Sequence, residues 1–317
     1  MTKQQTIPTR QLNQSSAETI QQIIQVVGQK ILDKQDAIEL VVATLIAGGH
    51  VLLEDLPGLG KTTLATSIAQ VFGMDYNRIQ LTSDMMPSDV LGVSIYDAPS
   101  QSFSYHKGPI FTQFLLADEL NRATPKTQSA LLEAMAENQV SMDGHTYPLD
   151  DIFFVMATQN PIDEAGTYAL PQSQLDRFLV SLSLGYPNPQ SERKLYQTAY
   201  IEAMKKPVHA ISNPEQLLAW QQQVKTIHAS DEVLDYLQNL VNKTRKHSNI
   251  QHGLSPRAGL GLFKLSQAFA FIDSRDYITP ADVQSAFYPV CRHRLLSHDS
   301  HAIDKIIEKI LNDTVII

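Results

Sequence analysis

From Ile20 to about Leu184, short apolar runs alternate with stretches of helical periodicity. Val51 to Leu53, Ile79 to Leu81, Phe114 to Ala117 and Ile152 to Ala157 are continuous rather than alternating, the pattern of strands buried on both faces. Strands separated by helices predict a parallel sheet covered by helices, an α/β architecture. Pro187 and Pro189, on either side of Asn188, break this rhythm. Beyond them the pattern is helical, with legible starts at Asn213-Pro214-Glu215, Ser255-Pro256 and Thr279-Pro280, the last with Asp282 as third helical residue. A bundle of about five helices is expected, with Leu234, Leu237, Leu240 and Val241 on a buried stripe. Residues 1–18, rich in Gln, Ser and Thr, predict a loose lead that firms near Ile20. The chain thus divides into a polar lead at 1–19, an α/β domain at 20–186 and a helical domain at 190–317.

Between the first strand and the helical pattern from Leu64 to Phe72 lies Leu56-Pro57-Gly58-Leu59-Gly60-Lys61-Thr62-Thr63. This is a phosphate-binding loop in its expected context. Glycines let the backbone approach a triphosphate, the amides and the positive end of the following helix face it, Lys61 reaches the outer phosphates, and Thr62 can ligate magnesium. The usual pattern has a further glycine where this chain has Asp55. That position precedes the amides that contact phosphate, so binding is expected to survive, with a change in local backbone geometry.

A phosphate loop alone fits a kinase, a GTPase or a transporter subunit, and a second motif narrows the choice. Phe114-Leu115-Leu116-Ala117-Asp118-Glu119 is a buried strand ending in two carboxylates. Asp118 can hold magnesium opposite Thr62 while Glu119 polarises a water for attack on the terminal phosphate. Hydrolysis needs both roles, so the pair favours an ATPase. Ala157-Thr158-Gln159-Asn160-Pro161 ends another strand, and Asn160 is placed to orient that water, although Asn before Pro also makes turns. Leu175-Asp176-Arg177-Phe178 supplies an arginine of the kind often lent by a neighbouring molecule, with a pairing of Arg177 to Asp176 or another acid as the structural alternative. Arg257, in the first turn of a helix of the second domain, can reach the phosphates from a lid.

Composition limits the setting. The 317 residues are 43% apolar, and no stretch approaches the roughly eighteen apolar residues of a membrane span. Met1 to Thr6 lacks the apolar core of a secretory signal and Cys291 is the single cysteine, which together predict a cytoplasmic protein without an internal disulfide. A net charge of −8 argues against non-specific binding to nucleic acid or anionic lipid and favours protein partners. The basic cluster Lys243, Arg245, Lys246 and His247 is read as a solvated helix face.

Loop, Asp-Glu strand, Asn-ended strand, Leu-Asp-Arg-Phe and lid arginine, in that order, resemble the AAA+ ATPases. The run from Asp118-Glu119-Leu120-Asn121-Arg122-Ala123 through Glu133-Ala134-Met135, with Ala157 to Pro161, is similar to the MoxR branch, and the resemblance spans roughly residues 20 to 315. It implies an AAA+ P-loop domain followed by an all-helical lid, with ATP and Mg2+ as cofactors. In its terms Pro57, Gly58, Leu59, Gly60, Lys61, Thr62 and Thr63 form Walker A, Asp118 and Glu119 Walker B, Asn160 sensor 1, Arg177 the arginine finger and Arg257 sensor 2, while Val27-Gly28-Gln29 lines the adenine pocket.

The resemblance also implies a ring, commonly of six subunits, and a chaperone-like role in maturing other complexes beside a partner with a von Willebrand factor A domain. Two insertions fit the branch: Asp84 to Pro109, and Gln139 to Leu149 with a hairpin turn at Asp143-Gly144. Met85, Met86, Tyr96, Phe103 and Tyr105 either touch a client or pack the first insertion on its own body. A remodelling ATPase acting on proteins is therefore the leading expectation; a nucleic-acid motor with the same engine, or a nucleotide-dependent scaffold with negligible turnover, are the alternatives.

Overall fold

The structure is a computed structural model that describes residues 9–99, 101–160, 166–197, 206–297 and 303–316. Five strands, β1 (Val51–Glu54), β2 (Tyr76–Gln80), β5 (Phe114–Asp118), β8 (Phe154–Gln159) and β9 (Val180–Leu182), form one sheet in the order β2-β5-β8-β1-β9. Every pairing is parallel. The first strand in sequence thus lies between the last two, which opens a crevice at the carboxyl ends where neighbouring crossovers diverge. β9 was not foreseen, being three residues in a short run with no alternation. β8 begins later than Ile152 because the Asp150 carboxylate accepts from the Ile152 amide at 2.9 Å and holds a turn there.

The sheet separates two cores by strict alternation. Val51, Leu53, Phe114, Leu116, Phe154 and Met156 face one side, and Leu52, Leu115, Ala117, Val155 and Ala157 the other. The first face is covered by α1 (Thr9–Gly28), α2 (Gln35–Ile46) and α3 (Lys61–Val71), and the second includes α5 (Pro125–Glu137). Helix α1 corrects the expected loose lead: the chain is helical from Thr9, and Ala17 is already buried, because that polar stretch keeps helical spacing and lacks Pro or Gly after Pro8. Residues 1–8 of the lead lie outside the described residues.

After α6 (Gln172–Leu175) and α7 (Pro189–Leu195), the helical part comprises α8 (Pro214–Val224), α9 (Asp231–Lys246), α10 (Pro256–Ile272), α11 (Pro280–Cys291) and α12 (Ile303–Asn312). Three starts read from sequence are capped as expected. Asn213 accepts from Gln216 N, Ser255 accepts from Ala258 N, and Thr279 with Asp282 forms a reciprocal box. On α9 the buried stripe is Val233, Tyr236, Leu240, Val241 and Thr244, so Leu240 and Val241 face inward while Leu234 is 41% exposed. The helix is rotated so that Tyr236, which accepts a hydrogen bond from Gln284, takes the inner position. The core of this part is continuous with the core beneath the sheet; Phe72 of the α/β part meets Trp220 edge to face at 6.2 Å.

Both insertions carry hairpins. β3 (Gly92–Asp97) and β4 (Ser102–Lys107) follow α4 (Pro87–Leu91), and β6 (Gln139–Met142) pairs with β7 (His145–Pro148) across Asp143 and Gly144, both at positive φ. Tyr105 stacks on Tyr147 at 4.1 Å, so the two insertions lean on each other, and Met85 packs into the second core. Met86, Tyr96 and Phe103 remain exposed. A short antiparallel pair, β10 (Ile250–His252) with β11 (Leu296–Ser297), closes the lid.

Candidate active site

The loop between β1 and α3 adopts the backbone its residues call for. Gly58 (φ 86°) and Gly60 (φ 90°) occupy the left-handed region, and a side chain added at either would meet nothing within 4 Å, leaving open space in front of the loop. Lys61 is buried at the first position of α3, with its Nζ donating to the Asp55 carbonyl at 2.8 Å. The Asp55 side chain explains the departure from the usual glycine. Its carboxylate, 6% exposed, accepts from Ser183 Oγ at 2.7 Å, from Gly185 N at 3.2 Å and from Leu184 N. Asp55 thereby ties the entry of the phosphate loop to the segment leaving β9.

The two carboxylates sit where β5 ends. Asp118 Oδ1 accepts from Thr158 Oγ1 at 2.6 Å and its Oδ2 pairs with Arg78 Nη2 at 2.7 Å. Glu119 takes a left-handed conformation (φ 56°, ψ 48°), unfavourable for a side chain of its size, and its amide donates to the same Thr158 hydroxyl at 2.9 Å. Thr158 therefore fixes both acids with one atom. Glu119 Oε2 pairs with Arg122 Nε at 2.9 Å, and its Oε1 accepts from Asn160 Nδ2 at 3.4 Å. The Asn160 backbone is held in turn by the Asn121 amide group, at 3.3 Å to its N–H and 3.0 Å to its carbonyl. Pro161 lies outside the described residues.

Thr158, which bonds to both acids, is a residue that the motif reading passes over. The signal was present: Ala117 lies opposite Ala157 in the β5–β8 register, so the next residues, Asp118 and Thr158, must also be neighbours. Register is a pairing between distant segments and becomes evident only once the strand order is known.

Arg177 is half-buried, and its side chain forms no hydrogen bond or ion pair among the described residues. The pairing with Asp176 does not form, because that carboxylate is occupied by Arg294 Nε at 2.7 Å and Ser255 Oγ at 3.0 Å. Arg257 is exposed in the first turn of α10. The structure thus brings together Lys61 with Asp55, and Asp118 with Glu119, Thr158 and Asn160; Arg177 and Arg257 are linked to each other through Asp176 and Ser255 rather than to the carboxylates.

A cleft beside the loop is lined by Ile31, Leu32, Gly58, Gly60, Thr63 and Leu195, among others. Gly28 borders an adjoining hollow with Gln35 and Ser183, and Gln29 lines neither space. Ile31 and Leu32 thus lie on the wall of the cleft beside the loop together with Leu195 of α7, whose location a single sequence does not disclose.

Thr62 hydroxyl and Asp118 carboxylate are hard oxygen donors, which suit magnesium sharing its shell with water and nucleotide phosphates. Among the described residues no group of three or more His, Cys, Asp or Glu could hold a metal by itself, so an ion here would be completed by the nucleotide.

This fold and donor set define an AAA ATPase with a helical lid, and comparisons with known proteins agree. The model of the "ATPase family associated with various cellular activities (AAA)" matches residues 50–180, and that of the "AAA lid domain" matches 242–310. Chaperone MoxR1 of Mycobacterium tuberculosis is 37% identical over 94% of this chain and 81% of its own length. The uncharacterized protein YeaC of Bacillus subtilis is 44% identical over 86% of this chain and 85% of its own. A crystal structure of a protein from Cytophaga hutchinsonii superposes with a TM-score of 0.87 at 35% identity, covering 96% of this chain and 97% of that one. The chain belongs to the MoxR family of AAA+ ATPases.

Proposed function

We propose that this chain is a magnesium-dependent ATP hydrolase that works as a homo-oligomeric ring, commonly six subunits, to remodel or mature partner protein complexes in the cytoplasm. The carrying observation is the arrangement of Glu119: its backbone is set by Thr158, which also orients Asp118, and its carboxylate faces the Asn160 amide. Lys61 and the loop amides bind the phosphates, Thr62 and Asp118 hold the ion, Glu119 takes the proton of the attacking water, and Asn160 orients that water. Magnesium, when bound, neutralises charge on the phosphates. Arg78 and Arg122 now occupy the two acids, so both must swing aside before the acids can act.

Arg177, whose side chain has no partner among the described residues, is offered to the next subunit's site, and Arg257 reports phosphate loss to the lid. The ATPase domain covers 20–186 and the lid 190–317. Exposed Tyr96 and Phe103 on the first insertion suit contact with a client, and a partner with a von Willebrand factor A domain fits the family; the name of Chaperone MoxR1 supports a protein client over nucleic acid.

Glu119→Gln tests the central assignment. It should bind ATP as the wild type does but hydrolyse it about a hundredfold more slowly or worse, the size of effect of a lost general base. Wild-type phosphate release in that variant removes Glu119 from the role.

A further inference from the structure

The backbone that carries Arg177 is clasped by the end of the lid. Arg294, with a side chain only 5% exposed, pairs with Asp176 Oδ1 at 2.7 Å and donates to the carbonyls of Asp176 (3.3 Å), Leu179 (2.9 Å), Val290 (2.7 Å) and Phe178. His293 Nε2 donates to the same Phe178 carbonyl at 3.1 Å. The grip is mutual: Gln172 Nε2 donates to the carbonyls of His293 at 3.1 Å and Arg294 at 2.7 Å. Carbonyls on both sides of Arg177 are therefore held by one buried guanidinium, a group that burial penalises strongly unless its donors are satisfied.

The other oxygen of Asp176 reaches a different lid element. Oδ2 accepts from Ser255 Oγ at 3.0 Å, and that hydroxyl also caps α10 by accepting from Ala258 N at 3.0 Å. Arg257 lies two residues past this cap. A single carboxylate thus joins the segment presenting Arg177 to the start of the helix presenting Arg257.

We propose that Asp176 and Arg294 are positioning residues that fix Arg177 for use by the neighbouring subunit and make its placement follow the lid. A shift of α10, driven by the nucleotide in a subunit's own site, would be transmitted through Ser255 and Asp176 to the arginine offered next door. This inference rests on the shared-site reading of Arg177.

Mixed assemblies test it. Arg294→Lys keeps the charge but cannot satisfy so many carbonyls. Alone it should lower kcat by about tenfold or more, as small misplacements of a catalytic group do, with KM for ATP within about twofold. Mixed with Glu119→Gln, which cannot hydrolyse but retains an intact Arg177, it should regain several-fold activity over the separate preparations, co-assembly being verified by pull-down of a tag on one variant. Arg177→Ala mixed with Glu119→Gln is the control.

Recovery in the control without recovery for Arg294→Lys places the defect in the variant's own site or fold and overturns the inference. No recovery in the control overturns the shared-site reading, and the inference falls with it. Should Arg294→Lys fail to fold, Ser255→Gly removes the hydroxyl from Asp176 at little capping cost; it should show the same complementation with a smaller loss, and wild-type kcat in it overturns the coupling.

Discussion

The carboxylate end of the sheet and the lid clasp hold their functional groups by opposite means. Asp118 at the end of β5 and Glu119 just beyond it are steadied by a neighbouring strand whose register the sheet dictates. Around Arg177 the neighbours come from more than a hundred positions away, with Arg294 and His293 reaching back to Asp176, Phe178 and Leu179. The difference teaches that the two carboxylates are placed by near neighbours in one sheet, while the segment carrying Arg177 is placed by long-range contacts from the helical part.

The largest effect expected from this contrast is at Arg177. If Arg177 completes a neighbouring site, Arg177→Ala should reduce turnover by about a thousandfold, the size of effect of a lost arginine finger, and wild-type turnover should rise more steeply than linearly with protein concentration. Steady-state phosphate release across a dilution series checks both, and undiminished activity in the variant breaks the distinction between the two regions.

Buried histidines sharpen it on the stability side. Burial lowers the pKa of His50 to about 4, and His50 Nδ1 accepts from Val155 N at 3.1 Å; burial and Arg294 hold His293 well below the usual histidine value. Both are neutral in the folded chain, so their contribution is complete above about pH 6.5, the unfolded value, and is lost as pH falls toward 4 for His50. Urea unfolding should show stability falling by about 3 kcal/mol from His50 across that window, and His50→Gln should flatten its share.

Asp55 tests the local frame. Asp55→Gly restores the common loop pattern yet removes a buried acceptor of three hydrogen bonds, so the chain should lose about 2 kcal/mol of stability, with Asp55→Asn retaining part of it. A more stable Asp55→Gly in the same urea assay would show that the tie to residues 183–185 is idle. The smallest effect concerns Arg78, which pairs with Asp118, the carboxylate proposed to hold magnesium. Its side chain is 46% exposed, so Arg78→Ala should lower the magnesium concentration for half-maximal activity by no more than about fivefold. An increase would mean that Arg78 supports the ion rather than opposing it.

How much of this was legible follows from the same contrast. The loop backbone and the proximity of Asp118, Glu119 and Asn160 are legible because each motif is a short run with fixed spacing, and the helix starts at Asn213, Ser255 and Thr279 because capping is a contact over three residues. Thr158, the bonding of Asp55 to the β9 exit and the grip of Arg294 were hidden, since each requires knowing which strands adjoin or where α11 ends. Leu234 was misassigned for a related reason. Periodicity limits the apolar arc of a helix, but the rotation within it is chosen by partners such as Gln284.

The core that runs unbroken from beneath the sheet into the helical bundle has a consequence for dissecting the molecule. Trp220 fills against Phe72, Gln221 donates to the Leu45 carbonyl, and the Ile211 and Ser212 amides bond to the Val71 carbonyl, so the second half of the chain packs onto the helices that cover the sheet's first face. Cutting after residue 186 would uncover Phe72 and its neighbours on those helices and leave an apolar surface in water. The two halves thus share one interior, and thermal unfolding of the full chain is expected to show a single transition.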